Sequence, residues 1–308
     1  MILGRVRLLA LSASLCLLLG GGLGGGLVGC RLERPDPAAQ ASAILHKHPS
    51  DFLDQLRALD ALAAAEIGLP SGALAESLYR QSSRLKPLLA KAANDSAKIA
   101  LLNAWIFDSL SILPIADSND LAASLPSRVL TERKGSCLGL TLVYLALGRS
   151  LGLPLNPVFL PGHIFIRYRS AAYTCNIETL RRGLARTDSF YRETFSLRLR
   201  PWYTLEAGDP KQALAALVFN LGNTHRKNGD WPTALAEYGL VEEALPGYPE
   251  ALGNQGAGLL VSGDLRGAEA KLLAAYQGDS LAEPARQNLA ALYRSTGDSA
   301  RAAKFSIR

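Results

Sequence analysis

The sequence predicts an α+β core with helices before it and an all-α repeat after it. Three observations lead there. A nearly all-apolar helical run over 137–151 is followed by two stretches of alternating extended chain, 158–168 and 173–178. Upstream, apolar residues recur at helical spacing through Phe52, Leu56, Leu59 and Leu62, and again through Ile99, Leu102, Ile106 and Leu110. Downstream, residues 210–308 repeat with a period of 34. The 308 residues, 48% hydrophobic and 19% charged, suffice for one large or two ordinary cores, which excludes a disordered chain and a disulfide-stapled miniprotein. The charge of +6 includes Arg5 and Arg7 of a leader, and no run of five or six basic residues occurs, so no nucleic-acid partner is expected.

The leader comes first. Arg5 and Arg7 precede an apolar run over 8–28, with six glycines between 20 and 26, and Cys30 follows. This is the order of a secretory signal: basic, apolar, then small residues. A membrane-spanning anchor is the rival reading, opposed by the glycines, each of which weakens a helix by about 1 kcal/mol. Leu27-Val28-Gly29-Cys30 resembles a bacterial lipobox. That resemblance implies a signal peptide over 1–29, lipidation of Cys30, and a chain held in the cell envelope. Arg31 after the cysteine implies, by the same analogy, the periplasmic face of the outer membrane. A linker over 30–41, marked by Pro35 and Pro37, is expected before the core domain at 42–200. His46 and His48 lie two apart with no third ligand near, so neither metal nor cofactor is expected.

Lys134-Gly135-Ser136 reads as a turn and N-cap, so Cys137 opens the apolar helix that Gly152 and Pro154 end. Free N–H groups and the positive dipole end at that place favour a thiolate and an oxyanion, although a small core residue is the plainer reading. In 163–168, alternation puts His163, Phe165 and Arg167 on one face and Ile164, Ile166 and Tyr168 on the other. A hairpin turn centred on Ser170-Ala171 would set His163 opposite Glu178 and Phe165 opposite Asn176. Thiol, imidazole and carboxylate would then form a nucleophile, base and orienter. Cys175 would face the other way, which argues against a Cys137–Cys175 disulfide unless the register slips by one. Arg181 and Arg182 beyond the strand suit either an acidic substrate or a solvated strand end. Trp202 and Tyr203 are expected to wedge the core against the repeats, and Trp231 and Tyr238 to pack within them.

These residues carry a resemblance. Val129-Leu130, Gly135-Ser136-Cys137-Leu138, Leu151-Gly152-Leu153-Pro154, Pro161-Gly162-His163-Ile164-Phe165-Ile166-Arg167 and Asn176-Ile177-Glu178-Thr179 together resemble the transglutaminase-like superfamily, in particular its bacterial branch that carries tetratricopeptide repeats. The segment from Leu102-Asn103 to Phe107 is similar too, so the likeness covers about 95–185. It implies a papain-related α+β fold with Cys137 as nucleophile, His163 as general base and acid, and Glu178 as orienting carboxylate. The family's usual third member is Asp; Glu178 is one methylene longer, with Asn176 as a substitute orienter if Glu178 is displaced. Many members of this branch lack the cysteine, and its presence here together with His163 favours activity.

Over 205–308, Gly229-Asp230, Gly263-Asp264 and Gly297-Asp298 recur every 34 residues, as do Asn220, Asn254 and Asn288, and Ala234, Ala268 and Ala302. The units resemble tetratricopeptide repeats, two and a half to three of them, with Pro246 ending the first and the third stopping short of a closing helix. Such a stack implies a protein or peptide partner on its concave face, although it could simply cover the core. Two functions follow: a lipid-anchored thiol hydrolase or acyl transferase acting on protein or peptide, or a catalytically silent scaffold that recruits a partner through its repeats.

Overall fold

The computed structural model describes residues 35–47, 51–116 and 120–306; the leader, Cys30 and His48 lie outside them. The first helix, α1 (Pro37–Leu45), begins inside the stretch expected to be linker. Pro37 is its first residue and Asp36 caps it, accepting from Ala38 N at 3.0 Å, so these are helix-start signals rather than linker signals. Helices α2 (Phe52–Glu66), α3 (Leu74–Leu89) and α4 (Asp95–Ala104) follow, and α4 runs into a π-turn at Trp105–Ser109. All eight apolar positions expected inside these elements are buried. Buried Asp60 of α2 accepts the backbone N–H of Ser127 at 3.0 Å, which caps α5 (Pro126–Glu132) from a distant part of the chain.

Short strands β1 (Leu113–Pro114) and β2 (Lys134–Gly135) pair in parallel ahead of α6 (Cys137–Leu151). Ser136 caps α6, accepting from Gly139 N at 3.2 Å, and Gly152 closes it in the left-handed region at φ 70°. Every residue from Cys137 to Gly148 is buried, which explains why this helix is apolar all round. A Cβ on Gly139 would stand 2.2 Å from the Ala123 carbonyl oxygen, so the helix start rests directly on the turn Ala122–Ser124.

Against α6 lies an antiparallel sheet of β3 (Leu155–Leu160), β4 (His163–Arg169), β5 (Thr174–Glu178) and β6 (Leu184–Arg186), in that order. Pro157 is tolerated because β3 is an edge. The β4–β5 register corrects the sequence expectation: Arg167, not Phe165, opposes Asn176, and Ile166 opposes Ile177. The cause is Ser170. Its N–H donates to the Tyr173 carbonyl at 2.9 Å and its Oγ accepts from Tyr173 N at 3.0 Å, closing a four-residue loop centred one residue later than expected. A centre moved by one residue moves the register by two, which preserves every side chain's face.

After α7 (Asp188–Thr194) come three helical hairpins: α8 (Pro210–Lys227) with α9 (Trp231–Ala244), α10 (Pro249–Ser262) with α11 (Leu265–Gly278), and α12 (Glu283–Ser295) with α13 (Ser299–Ser306). The third unit therefore does have a second helix, shortened to eight residues. The Gly-Asp columns have a plain cause. Gly229, Gly263 and Gly297 take φ of 82°, 83° and 78° at the turn, and each following aspartate caps the next helix by accepting a backbone N–H. One apolar core runs from the N-terminal helices through the sheet to Ala251, and a second, smaller one joins Leu252 to Phe305.

Candidate functional site

Cys137 stands at the first helical position of α6, buried, where the N–H groups of Cys137 and Leu138 have no acceptor inside the helix. His163 opens β4 directly after Gly162, whose φ of 63° turns the chain into the strand. The two side chains line one small pocket of about 140 Å³. At the end of β5, Glu178 accepts from His163 Nε2 at 2.9 and 3.1 Å through its two oxygens. The same carboxylate accepts from the Tyr191 hydroxyl at 3.1 Å and from Leu180 N at 3.1 Å. With Nε2 so committed, Nδ1 is the nitrogen left for the thiol. The bond from His163 to Glu178 runs diagonally between strands, because the register shift removes direct opposition while keeping both on one face.

The electrostatics follow from burial and pairing. Burial disfavours a charged imidazole, but hydrogen bonding to Cys137 and Glu178, and the charge of both, outweigh it and lift His163 to about 9. Burial pushes Glu178 up, yet the hydrogen bond and charge of His163, with the donors Leu180 N and Tyr191, bring it below its ordinary value. Burial and the adjacent Glu178 carboxylate raise the Tyr191 hydroxyl far above its ordinary value, so it remains a donor. Phe195 lies parallel to the imidazole, ring centres 6.0 Å apart.

The remaining sequence-predicted residues fall elsewhere. Asn176 has no hydrogen bond to His163: its Oδ1 accepts from Arg167 Nε at 2.8 Å and its Nδ2 donates to Asp188 at 2.8 Å. Glu178 is in place on His163, so the displacement that would call on Asn176 does not occur, and Asn176 joins a polar brace with Arg167 and Asp188. Cys175 and Cys137 are both free thiols, and Cys175 Sγ is directed to the Asn176 carbonyl at 3.3 Å. His46 meets Glu243 at 3.2 Å on the surface. Arg182 turns away to Asp108 at 2.5 Å, whereas Arg181 lines a cleft that His163 also lines.

The hairpins supply site residues that no local pattern announced. Asn220 of α8 donates to Ser124 Oγ at 3.1 Å, and Ser124 bonds Ser136, the cap of the Cys137 helix, at 3.0 Å. Glu250 of α10, its carboxyl pushed up by burial, accepts from Gly162 N at 3.0 Å and from the Tyr203 hydroxyl. Phe219, Asn220, Asn223, Tyr248 and Glu250 thus wall the pocket that holds Cys137. Asn220 had been visible only as one copy of the Asn column, and Glu250 gave no signal, because its partner Gly162 is 88 residues away.

Residues 72–208 match the family model of the transglutaminase-like superfamily. This segment is a transglutaminase-like domain. It comprises α3 to α7 and the whole sheet, and so Cys137, His163 and Glu178. The chain is also similar to UPF0162 proteins of Xylella fastidiosa, 25% identical over 184 residues in strain Temecula1 and 24% in strain 9a5c. Each likeness takes in 56% of this chain and 64% of the relative, so the chain spans a little under two-thirds of the curated relatives it matches. Among the described residues, no helix is long and apolar enough to cross a membrane, and no cluster of His, Cys, Asp and Glu suits a metal ion.

Proposed function

We propose that the transglutaminase-like domain is a thiol hydrolase or acyl transferase, with Cys137 as nucleophile, His163 as base and acid, and Glu178 as the carboxylate that orients the imidazole. The observation that carries this reading is the two-oxygen pairing of Glu178 with His163 Nε2, which leaves Nδ1 free on the wall that Cys137 shares. In this mechanism the thiolate attacks an amide or ester carbonyl, and the oxyanion that forms meets the N–H groups at the start of α6. His163 gives its proton to the departing amine or alcohol. It then takes one from the incoming water or amine, which attacks the thioester formed on Cys137; the C–S bond breaks, the acyl group leaves as acid or amide, and the thiolate is restored. Glu178 stays ionised throughout and holds the ring. We read the three hairpins as tetratricopeptide repeats and the substrate as a protein or peptide. The lipobox resemblance at Cys30 supports anchoring in the bacterial envelope, at the periplasmic face of the outer membrane.

The test is iodoacetamide alkylation of Cys137 against pH, with Cys175→Ser as background. At pH 6 the wild type is expected to react about ten times faster than His163→Ala, whose rate rises only through the ordinary thiol range near 8.5. Equal rates would leave the silent scaffold as the better reading, because the thiol would then lack an acid–base partner.

A further inference from the structure

A second cleft, of about 640 Å³, opens on the other side of His163. Gly162 and His163 line both it and the Cys137 pocket, so the two spaces meet at the imidazole. Phe190, Tyr191 and Phe195, of and just beyond α7, give it an aromatic wall, and two arginines, Arg181 and Arg186, also line it.

The charge here is unbalanced. Residues 181–200 contain six arginines, Arg181, Arg182, Arg186, Arg192, Arg198 and Arg200, against the two acids Asp188 and Glu193. Arg182 is neutralised by Asp108, Arg200 by Asp279, and Asp188 is taken by Arg167. Among the described residues neither Arg181 nor Arg186 has an ion pair. The Arg186 guanidinium carbon lies 4.8 Å from the centre of the Phe190 ring, a cation–π contact that holds the side chain at the cleft without using up its terminal N–H groups. Arg186 Nε is shut off from solvent, so the terminal N–H groups are the ones that can meet a ligand in the cleft. The one carboxylate lining the cleft, Glu178, already serves His163, Tyr191 and Leu180 N and pairs with neither arginine.

We propose that this cleft is a substrate subsite for a carboxylate, held by Arg181 and Arg186, which places the neighbouring acyl group of an acidic peptide at Cys137. The planar fork of arginine matches a carboxylate in two-point geometry, and a carboxylate is the anion a peptide carries in an acidic side chain or at its C-terminus. The subsite rests on the thiol reading of Cys137, since its value lies in presenting a carbonyl to that sulfur.

The experiment is protection of Cys137 from iodoacetamide at pH 7 and constant ionic strength, with N-acetylglutamate, its α-carboxyl blocked as the amide, as probe, the equally blocked N-acetylglutamine amide as its neutral counterpart, and inorganic phosphate as a general anion. In wild type, N-acetylglutamate should protect saturably, about five- to tenfold better than the other two. Arg181→Gln/Arg186→Gln should erase the difference, Arg181→Gln alone should halve it or more, and Arg182→Gln should keep it. Equal protection by the acid and the amide, or an unchanged preference in the double variant, overturns the subsite. Phosphate protecting as well as N-acetylglutamate overturns its assignment to a carboxylate. Failure of the thiol reading shows separately, as a wild-type alkylation rate without probe that does not depend on His163.

Discussion

The first and last hairpins share one sequence pattern and have different work. In the first, α8 contributes Ala213, Leu214, Leu217, Val218 and Leu221 to the same apolar core as the sheet, and Asn220 reaches the cap of the Cys137 helix through Ser124. In the third, Leu289, Tyr293 and Phe305 belong to the separate small core, and the Asn column's copy there, Asn288, sits on α12, which packs chiefly against α10, α11 and α13. A repeat column records the geometry of the helix pair, while function comes from what each copy happens to face.

The comparison breaks most visibly at two tyrosines. Tyr248 is buried among Phe159, Trp202 and Phe219 and walls the Cys137 pocket, whereas Tyr293 is buried against Phe305 in the last hairpin. Tyr248→Ala and Tyr293→Ala should each cost about 3–5 kcal/mol in urea unfolding, the scale of large buried truncations. Only Tyr248→Ala should slow Cys137 alkylation at pH 6; equal slowing by both would mean that the last hairpin also supports the site.

Next in size is the pH dependence that the His163–Glu178 pair gives the core. The folded imidazole of His163 is raised from 6.5 to about 9, so its stabilisation is fully present below pH about 6.5 and is lost as pH rises through about 9. Glu178 is lowered, so its share is present above its ordinary value of 4.5 and is lost as pH falls below that. The excess melting temperature of wild type over Glu178→Gln should therefore be greatest near pH 5–6.5 and shrink by pH 10. A constant excess across that range would refute the pairing.

The smallest expected effect sharpens the comparison best. Asn220→Ala should slow Cys137 alkylation about threefold, with a stability loss of about 1 kcal/mol, while Asn288→Ala leaves the rate unchanged. In the same assay Glu250→Ala should slow it by more, because Gly162 N and the Tyr203 hydroxyl lose their acceptor, and Glu250→Gln should restore most of the rate.

Much of this was legible in the sequence for local reasons. Ser136 and Gly152 bound α6 by capping chemistry that acts within four residues, and the Gly-Asp columns state their own turn. Strand faces were legible because alternation has a period of two. The register was not, since Ser170, whose hydroxyl also donates to Asp95 at 2.6 Å, set the loop through contacts that alternation does not encode. The choice between Arg181 and Arg182 was beyond reach for a similar reason: which of them turns away is decided by Asp108, on a segment 74 residues distant. The same holds for Glu250, which meets the site only because the second hairpin docks there.

Trp202 carries a practical consequence of that docking. Its indole N–H donates to the Pro246 carbonyl at 2.9 Å, its ring rests 4.9 Å from Tyr248, and its own N–H reaches the Gly278 carbonyl at 3.1 Å. Seating the second hairpin therefore sets the polarity and the quenching that this indole experiences. With Trp105 and Trp231 replaced, the molecule carries an optical gauge at that docking seam, readable by fluorescence without a label.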